Sequence, residues 1–393
     1  MNIPIFIPHY GCPNGCVFCN QQKISGKDKL DDESTLREFI EASISTSVGK
    51  EDIEIAFFGG SFTGLEHDVQ KKFLELATEY VQKYHIKGIR LSTRPDYIHE
   101  EIMKFLSDYP VTSIELGVQS LNPEVLKLTK RNHTVDDVEK AVACIKKSQI
   151  SLGLQMMIGL PGDTLYTALE TAKKMISYKP DTIRIYPTLV LLDTELAKML
   201  KDGAYQPLSL EEAVDWTSNL LPLFIEANIN VLRVGLQANE GLNSDVVLAG
   251  PYHPAFKELV LDELVYNQIC NQVEHLICSG DISHLESIRE EAYQENEAYQ
   301  DNEQYQKNEA YQDNEQYQEN ELYQRNKTYQ LDVKIEGDFQ TIALTFTPVG
   351  VEMITSDKMA QRIIGHKRMN HQRLEHYFSA LFHGQQRLII KRQ

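Results

Sequence analysis

Between residues 1 and 235, short apolar runs rich in β-branched side chains alternate with longer amphipathic stretches. The runs fall at 3–7, 53–58, 88–92, 113–118, 152–158 and 182–186. Between them lie helical patterns such as 68–84, 135–147 and 164–177, with apolar positions three and four apart. Strands separated by a helix of this length pair in parallel through right-handed crossovers. Six such units predict an α/β fold, an incomplete (β/α)6 barrel of the TIM type, whose chemistry belongs at the C-terminal ends of the strands.

The most reactive residues obey that rule. Cys12, Cys16 and Cys19 follow the first predicted strand in Tyr10-Gly-Cys-Pro-Asn-Gly-Cys-Val-Phe-Cys-Asn20, a C-x3-C-x2-C spacing on a loop with glycine and proline. Three thiolates can hold three irons of a cubane [4Fe-4S] cluster and leave the fourth iron open. Electron-transfer clusters take four cysteines, at other spacings. A closed zinc site is the competing reading, with Cys16 and Cys19 as a CxxC, Cys12 as third thiolate and His9 as fourth ligand. The loop follows a strand and does not sit between two hairpins, which favours the cluster.

Further polar motifs stand just after other strands. Phe57-Phe-Gly-Gly-Ser-Phe-Thr63 carries Gly59, Gly60 and Ser61, and paired glycines at a strand end let the backbone approach a ligand closely. A plain turn between strand and helix is the alternative. Then come Ser92-Thr-Arg-Pro-Asp96, Glu115-Leu-Gly-Val-Gln-Ser120, Lys130-Arg-Asn-His-Thr134 and Gln155-Met-Met-Ile-Gly-Leu-Pro-Gly162. Arg131 reads equally well as a carboxylate ligand or as a solvated arginine on a helix face.

The cysteine spacing, with Phe18 between its second and third members, resembles the signature loop of radical-SAM enzymes. That resemblance implies that the open iron binds the amino and carboxylate groups of S-adenosyl-L-methionine (SAM). One electron passed to SAM then cleaves it to methionine and a 5′-deoxyadenosyl radical. Cys12, Cys16 and Cys19 would be both the metal ligands and the catalytic residues. Phe18, Gly59, Gly60, Ser61, Gln119, Arg131 and Gln155 would bind the cofactor. The glycine segment would receive the methionine amine, Arg131 the carboxylate, Gln119 and Gln155 the ribose, and the apolar edge 158–160 the adenine. A flavodoxin or ferredoxin is the expected electron donor.

A narrower resemblance rests on Ser92-Thr-Arg-Pro-Asp-Tyr97, Gly117-Val-Gln-Ser120, His133-Thr-Val-Asp136, Arg184-Ile-Tyr-Pro-Thr-Leu-Val190, Thr194-Glu-Leu196 and Gly203-Ala-Tyr205. Over residues 1–255 this order is similar to the radical-SAM half of the Elongator catalytic subunit, which carboxymethylates the wobble uridine of tRNA with two carbons drawn from acetyl-CoA. The chain departs from it in a shorter gap between its first two cysteines. It also has only residues 331–393 after its repeat, with no glycine-rich acetyl-CoA loop. The resemblance therefore implies SAM chemistry on RNA, with tRNA as partner. A small-molecule enzyme like anaerobic coproporphyrinogen oxidase and a non-catalytic iron–sulfur sensor or scaffold are the alternatives.

Residues 1–235 are thus the expected barrel core, and 236–290 a connecting segment with the first helix (258–278) of a second domain. Residues 291–330 form an insert in which Tyr293, Tyr299, Tyr305, Tyr311, Tyr317, Tyr323 and Tyr329 recur every six positions among Gln, Asn and Glu. A six-residue step turns about 600° on a helix, so the tyrosines form no apolar stripe. A disordered, low-complexity tandem expansion in a surface loop is expected. Residues 331–393 carry nine Lys or Arg against six Asp or Glu, although the whole chain has a net charge of -18. With the helix at 258–278 they read as α-β-β-α-α-β, similar to a KH domain, with Ile364-Gly-His-Lys-Arg368 in place of its nucleic-acid loop. No apolar run is long enough for a membrane, and Met1 leads directly into the first strand. Cys144, Cys270 and Cys278 are scattered without a pairing pattern, so a reducing, cytoplasmic location is expected.

Overall fold

The computed structural model describes residues 2–7, 12, 15–20, 32–47, 52–236, 246–278, 329–335, 340–347, 350–365, 369–381 and 387–392. The chain forms two compact units, Met1–Lys257 and Glu258–Gln393.

The first unit is built on parallel strands β1 (Asn2–Ile7), β2 (Glu54–Gly59), β3 (Gly88–Thr93), β4 (Val111–Gln119), β5 (Ser151–Ile158), β6 (Thr182–Pro187) and, beyond a two-residue strand β7 (Val190–Leu191), β8 (Asn230–Val234). Their order β1-β2-β3-β4-β5-β6-β8 leaves β1 and β8 as open edges. Six of the seven lie where the sequence pattern puts them. The seventh, β8, adds one strand to the expected six, and Arg233 interrupts its apolar run. A short strand β9 (Val247–Ala249) pairs with β7.

Helices cross over between the strands: α1 (Glu33–Ser45), α2 (His67–Tyr84), α3 (Glu100–Leu106), α4 (Pro123–Leu128), α5 (Val135–Lys146), α6 (Leu165–Ser177), α7 (Glu195–Lys201) and α8 (Leu210–Glu226). Their starts are written in the sequence. Thr134 and Asp137 form a capping box on α5, and Ser209 and Glu212 form another on α8, each satisfying backbone N–H groups that have no partner within the helix. One face of the sheet is mostly apolar: Ile55, Leu91, Ile114, Leu116, Leu154, Met156, Ile183 and Ile185 are buried.

The opposite, inner face differs between its two ends. Near the strand starts, Arg90 binds Glu54 at 2.6 Å and Glu115 at 2.8 Å, and Arg184 binds the other oxygen of Glu115 at 2.8 Å. Thr112 and Ser113 donate to Glu54 at 2.7 and 3.0 Å. Burial alone would raise the Glu54 carboxyl, but Arg90 and these hydroxyls hold it below its ordinary value. Such a chain is favourable only because every charge has a partner. It closes the bottom of the sheet. Toward the strand ends Phe58, Ser92, Gln155, Met157 and Tyr186 are half-buried, leaving that end of the inner face accessible.

The second unit contains most of α9 (Phe256–Cys278), then β10 (Tyr329–Ile335), β11 (Gln340–Thr347), β12 (Gly350–Thr355), α10 (Asp357–Ile364), α11 (Met369–Leu381) and β13 (Arg387–Arg392). Its sheet runs β10-β11-β12-β13, with only the last pair parallel. Strand β12 makes the order α-β-β-β-α-α-β, one strand more than the sequence suggests. Tyr329 and Gln330, the end of the predicted insert, belong to β10 and pair with Phe346 and Thr345. The rest of the insert, 291–328, lies outside the described residues. So do residues 366–368 of the KH-like loop, whose Gly365 ends α10 at φ 70°. Ile269, Val273, Ile342, Leu344, Met353, Ile363 and Phe378 make up the core. Among the described residues no helix is long and apolar enough to cross a membrane.

Candidate cofactor site

The cysteine loop leaves the C-terminal end of β1 and is pinned by its backbone. Val17 donates to the carbonyl of Thr129 at 3.1 Å and accepts from Leu196 at 2.7 Å, while Cys19 donates to the carbonyl of Cys16 at 3.0 Å. Val17 sits in a small core with Val190, Leu196 and Tyr205, and Phe18 packs against it. Phe18 therefore anchors the loop. Cys16 is buried, and Cys12 and Cys19 are half-buried.

Two arginines face these thiols. Arg131 donates from Nη1 to the Sγ of Cys16 at 3.4 Å and from Nη2 to the carbonyl of Gly117. Arg94, which sequence reasoning quoted within a motif but gave no role, is 2% exposed. It donates to both carboxylate oxygens of Asp96 at 2.9 Å and to the carbonyl of Arg131 at 2.8 Å. Burial pushes the Cys12 thiol up, and the charges of Arg131 and Arg94 act against that rise. His133, also given no role, is buried beside them. Burial first, then Arg131 and Arg94, lower its pKa to about 3, so it stays neutral.

These groups are not fully satisfied. Arg94 Nη1, Arg131 Nε and both ring nitrogens of His133 are buried without a well-formed hydrogen bond among the described residues. Native proteins rarely leave such atoms unpaired unless a ligand or water meets them.

The remaining predicted residues divide into two groups. Gln119, at the bulge of β4 with φ 68°, accepts from the amide of Gln155 at 3.2 Å, so the two glutamines meet across β4 and β5. Gly59 has φ 103°, and a Cβ there would lie 3.1 Å from the Ile7 carbonyl oxygen. Gly60 donates to the same oxygen at 2.7 Å. The glycine pair thus lets β2 approach the base of the cysteine loop. Ser61 is buried, with its hydroxyl 2.8 Å from that of Thr93 and accepting from the backbone N–H of Arg94 at 3.1 Å. It ties β2 to β3. The edge 158–160 is held through Gly159, whose N–H donates to Asp163 at 3.0 Å and whose carbonyl accepts from Tyr205 at 2.6 Å.

The residues fit an iron–sulfur cluster with a charged organic ligand. The donors are thiols on one loop, two guanidinium groups lie beside them, and unpartnered nitrogens mark a place for anionic or polar atoms. Among the described residues no three His, Cys, Asp or Glu side chains converge as they would on one metal ion.

Comparison with known proteins shows the family and the fold. Residues 6–175 match the family model described as the Radical SAM superfamily, and residues 180–266 match the Radical_SAM C-terminal domain. The tRNA uridine(34) acetyltransferase of Methanocaldococcus infernus is 25% identical over 338 residues, covering 71% of this chain and 61% of its own length. Its counterpart in Methanocaldococcus jannaschii is 27% identical over 277 residues, with coverages of 61% and 49%. Human Elongator complex protein 3 is 28% identical over 229 residues, with coverages of 53% and 41%. The chain thus spans only part of the length of the curated relatives it matches. A solved structure of the archaeal Elongator protein 3 from Methanocaldococcus infernus, with residues 1–46 deleted, shares the fold. Its TM-score is 0.53 at 18% identity, with 99% of this chain and 92% of that one covered.

Proposed function

Because the chain belongs to the radical SAM superfamily, we propose that it is a [4Fe-4S]-dependent enzyme that cleaves SAM reductively and directs the radical at an RNA substrate, a tRNA. Cys12, Cys16 and Cys19 would hold the cluster. Bound there, it supplies the single electron that splits SAM into methionine and a 5′-deoxyadenosyl radical. A flavodoxin or ferredoxin would deliver that electron.

The observation that carries this reading is Arg131. Its guanidinium bridges Cys16 and the β4 bulge and keeps Nε free among the described residues, so a carboxylate bound there would lie beside the thiol loop. Gln119 and Gln155 stand on the adjoining strands to accept and donate to hydroxyl groups. Neutral His133 adds no charge to repel the metal or the SAM sulfonium. The RNA half of the proposal draws on the relatives named for tRNA uridine chemistry. Acetyl-CoA is left out of it, because the chain covers too little of those relatives' length.

Anaerobic incubation of the reconstituted protein with SAM, dithionite and fractionated RNA, followed by nucleoside mass spectrometry, tests it. A modified nucleoside that appears only when SAM is present is the expected result. Deoxyadenosine formation accelerated by a small-molecule extract and not by RNA would move the substrate to another class.

A further inference from the structure

The open edge of the first sheet carries a cavity that the cofactor site does not use. Beside β8 lies a space of about 410 Å³, lined by Arg233 and Lys257 and by apolar side chains that include Leu232, Pro254 and Phe256. Its size falls in the range of small-molecule clefts, about 300–1,000 Å³.

The two cations set its chemistry. Neither Arg233 nor Lys257 has an acidic partner among the described residues, in a chain whose acids outnumber its bases 57 to 39. Among the described residues no acid lines the cavity. A planar guanidinium fork and a mobile ammonium together suit the several oxygens of a phosphate group.

The apolar wall is built as deliberately. Gly235 holds φ 77° and donates to the carbonyl of Ile185 at 2.9 Å. The Phe256 ring lies directly over it, and a Cβ on Gly235 would meet that ring at 2.8 Å. Phe256 is 3% exposed and forms a firm floor, whereas Leu232 stands 36% exposed at the side. A phosphate bound at the cations would leave room here for the sugar or base attached to it.

The cavity also adjoins the inner face. Arg233 is the register partner of Arg184 across β6 and β8, and the charge of Arg233 acts on the Tyr186 phenol. A ligand reaching from this edge toward the strand ends would pass Arg233 and then Tyr186.

We infer that this cavity binds a backbone phosphate of the RNA substrate, next to the nucleotide that enters the inner face. Arg233 and Lys257 contact the phosphate, and Leu232, Pro254 and Phe256 contact the neighbouring sugar or base. The inference rests on the RNA reading proposed above. A free nucleotide carries the same phosphate chemistry, so the test has an arm for each source.

The full chain is titrated with a fluorescent single-stranded RNA oligonucleotide and, separately, with uridine 5′-monophosphate, over a range of salt concentrations. Each titration compares wild type with Arg233→Gln/Lys257→Gln and with Arg233→Lys. Losing the one neutralised phosphate should flatten the slope of log affinity against log salt by about 0.7 for a single strand. Arg233→Lys keeps the charge and should keep the slope, which separates lost charge from misfolding. RNA binding with an unchanged slope in the double variant overturns the site and leaves the RNA reading standing. Nucleotide binding lost in the double variant, with no RNA binding by wild type, overturns the RNA source and retains a phosphate site. If wild type binds neither probe, both fall.

Discussion

The Nη1 of Arg131 lies 3.4 Å from the Sγ of Cys16 although the two residues are 115 positions apart in sequence. The same guanidinium holds the Gly117 carbonyl, two residues before Gln119. One side chain therefore ties the thiol loop after β1 to the bulge that presents a glutamine on β4. Its Nε has no partner among the described residues, and under the proposed function it would meet the SAM carboxylate.

Arg131→Ala should weaken SAM binding about tenfold or more, since a hydrogen bond to a charged group contributes about 1.5–3 kcal/mol. Calorimetry with SAM and with an analogue lacking the carboxylate checks this. The analogue should lose much less. Equal losses for both would mean that Arg131 acts only by holding the loop.

Replacing Cys12, Cys16 or Cys19 by Ala should abolish cluster binding, read as iron and sulfide content after anaerobic reconstitution. Far-ultraviolet circular dichroism should stay unchanged, because Val17 and Phe18 anchor the loop and the Cys16 thiol adds one contact, to Arg131. Stoichiometric zinc without iron in the wild type would instead favour the closed metal site.

Much of this was legible in the sequence. The strands that carry the motifs keep buried apolar residues on the face that the helices cover, with Glu54, Arg90, Glu115 and Arg184 on the other. Strand β8 was not, because Arg233 breaks a five-residue run at a sheet edge, where one flank is open. Strand β12 was hidden similarly, since Glu352 interrupts Val351-Glu-Met-Ile354. At the site, a motif could nominate Arg131, but Arg94 and His133 gain meaning only from proximity. Arg94 precedes a proline and reads locally as a turn residue. Only the fold shows it bonded to the Arg131 carbonyl. Ser61, nominated with the glycine pair, has its hydroxyl bonded to Thr93 and Arg94, a tie between β2 and β3 that the motif alone does not show.

The ion chain beneath the site has a stability consequence. Glu115 joins Arg90 to Arg184, and Gly153 makes room for it, since a Cβ there would lie 2.8 Å from Glu115 Cγ. Glu115→Ala would leave two buried guanidinium groups with one fewer carboxylate, a change that typically costs about 3–5 kcal/mol. Urea denaturation should show a midpoint lowered accordingly. A loss below about 1 kcal/mol, the range of exposed pairs, would show that water replaces the carboxylate.

Asp163 gives the protein a pH signature of its own. Burial raises its pKa from 3.8 to about 6, against the opposing pull of hydrogen bonds from Thr167 and Gly159. A carboxyl whose folded pKa lies above its unfolded value binds its proton more tightly when folded. Its contribution to stability is therefore full below the unfolded value of 3.8 and is lost as pH rises to about 6. Asp163→Asn keeps a polar side chain for Gly159 and Thr167 but removes the titration. Stability measured by urea between pH 4 and 7 should therefore fall with pH in the wild type relative to the Asn variant, and the two curves should run parallel above pH 7. Curves that stay parallel from pH 4 upward would show that Asp163 is ionised in the folded protein throughout, with Gly159 and Thr167 compensating fully for its burial.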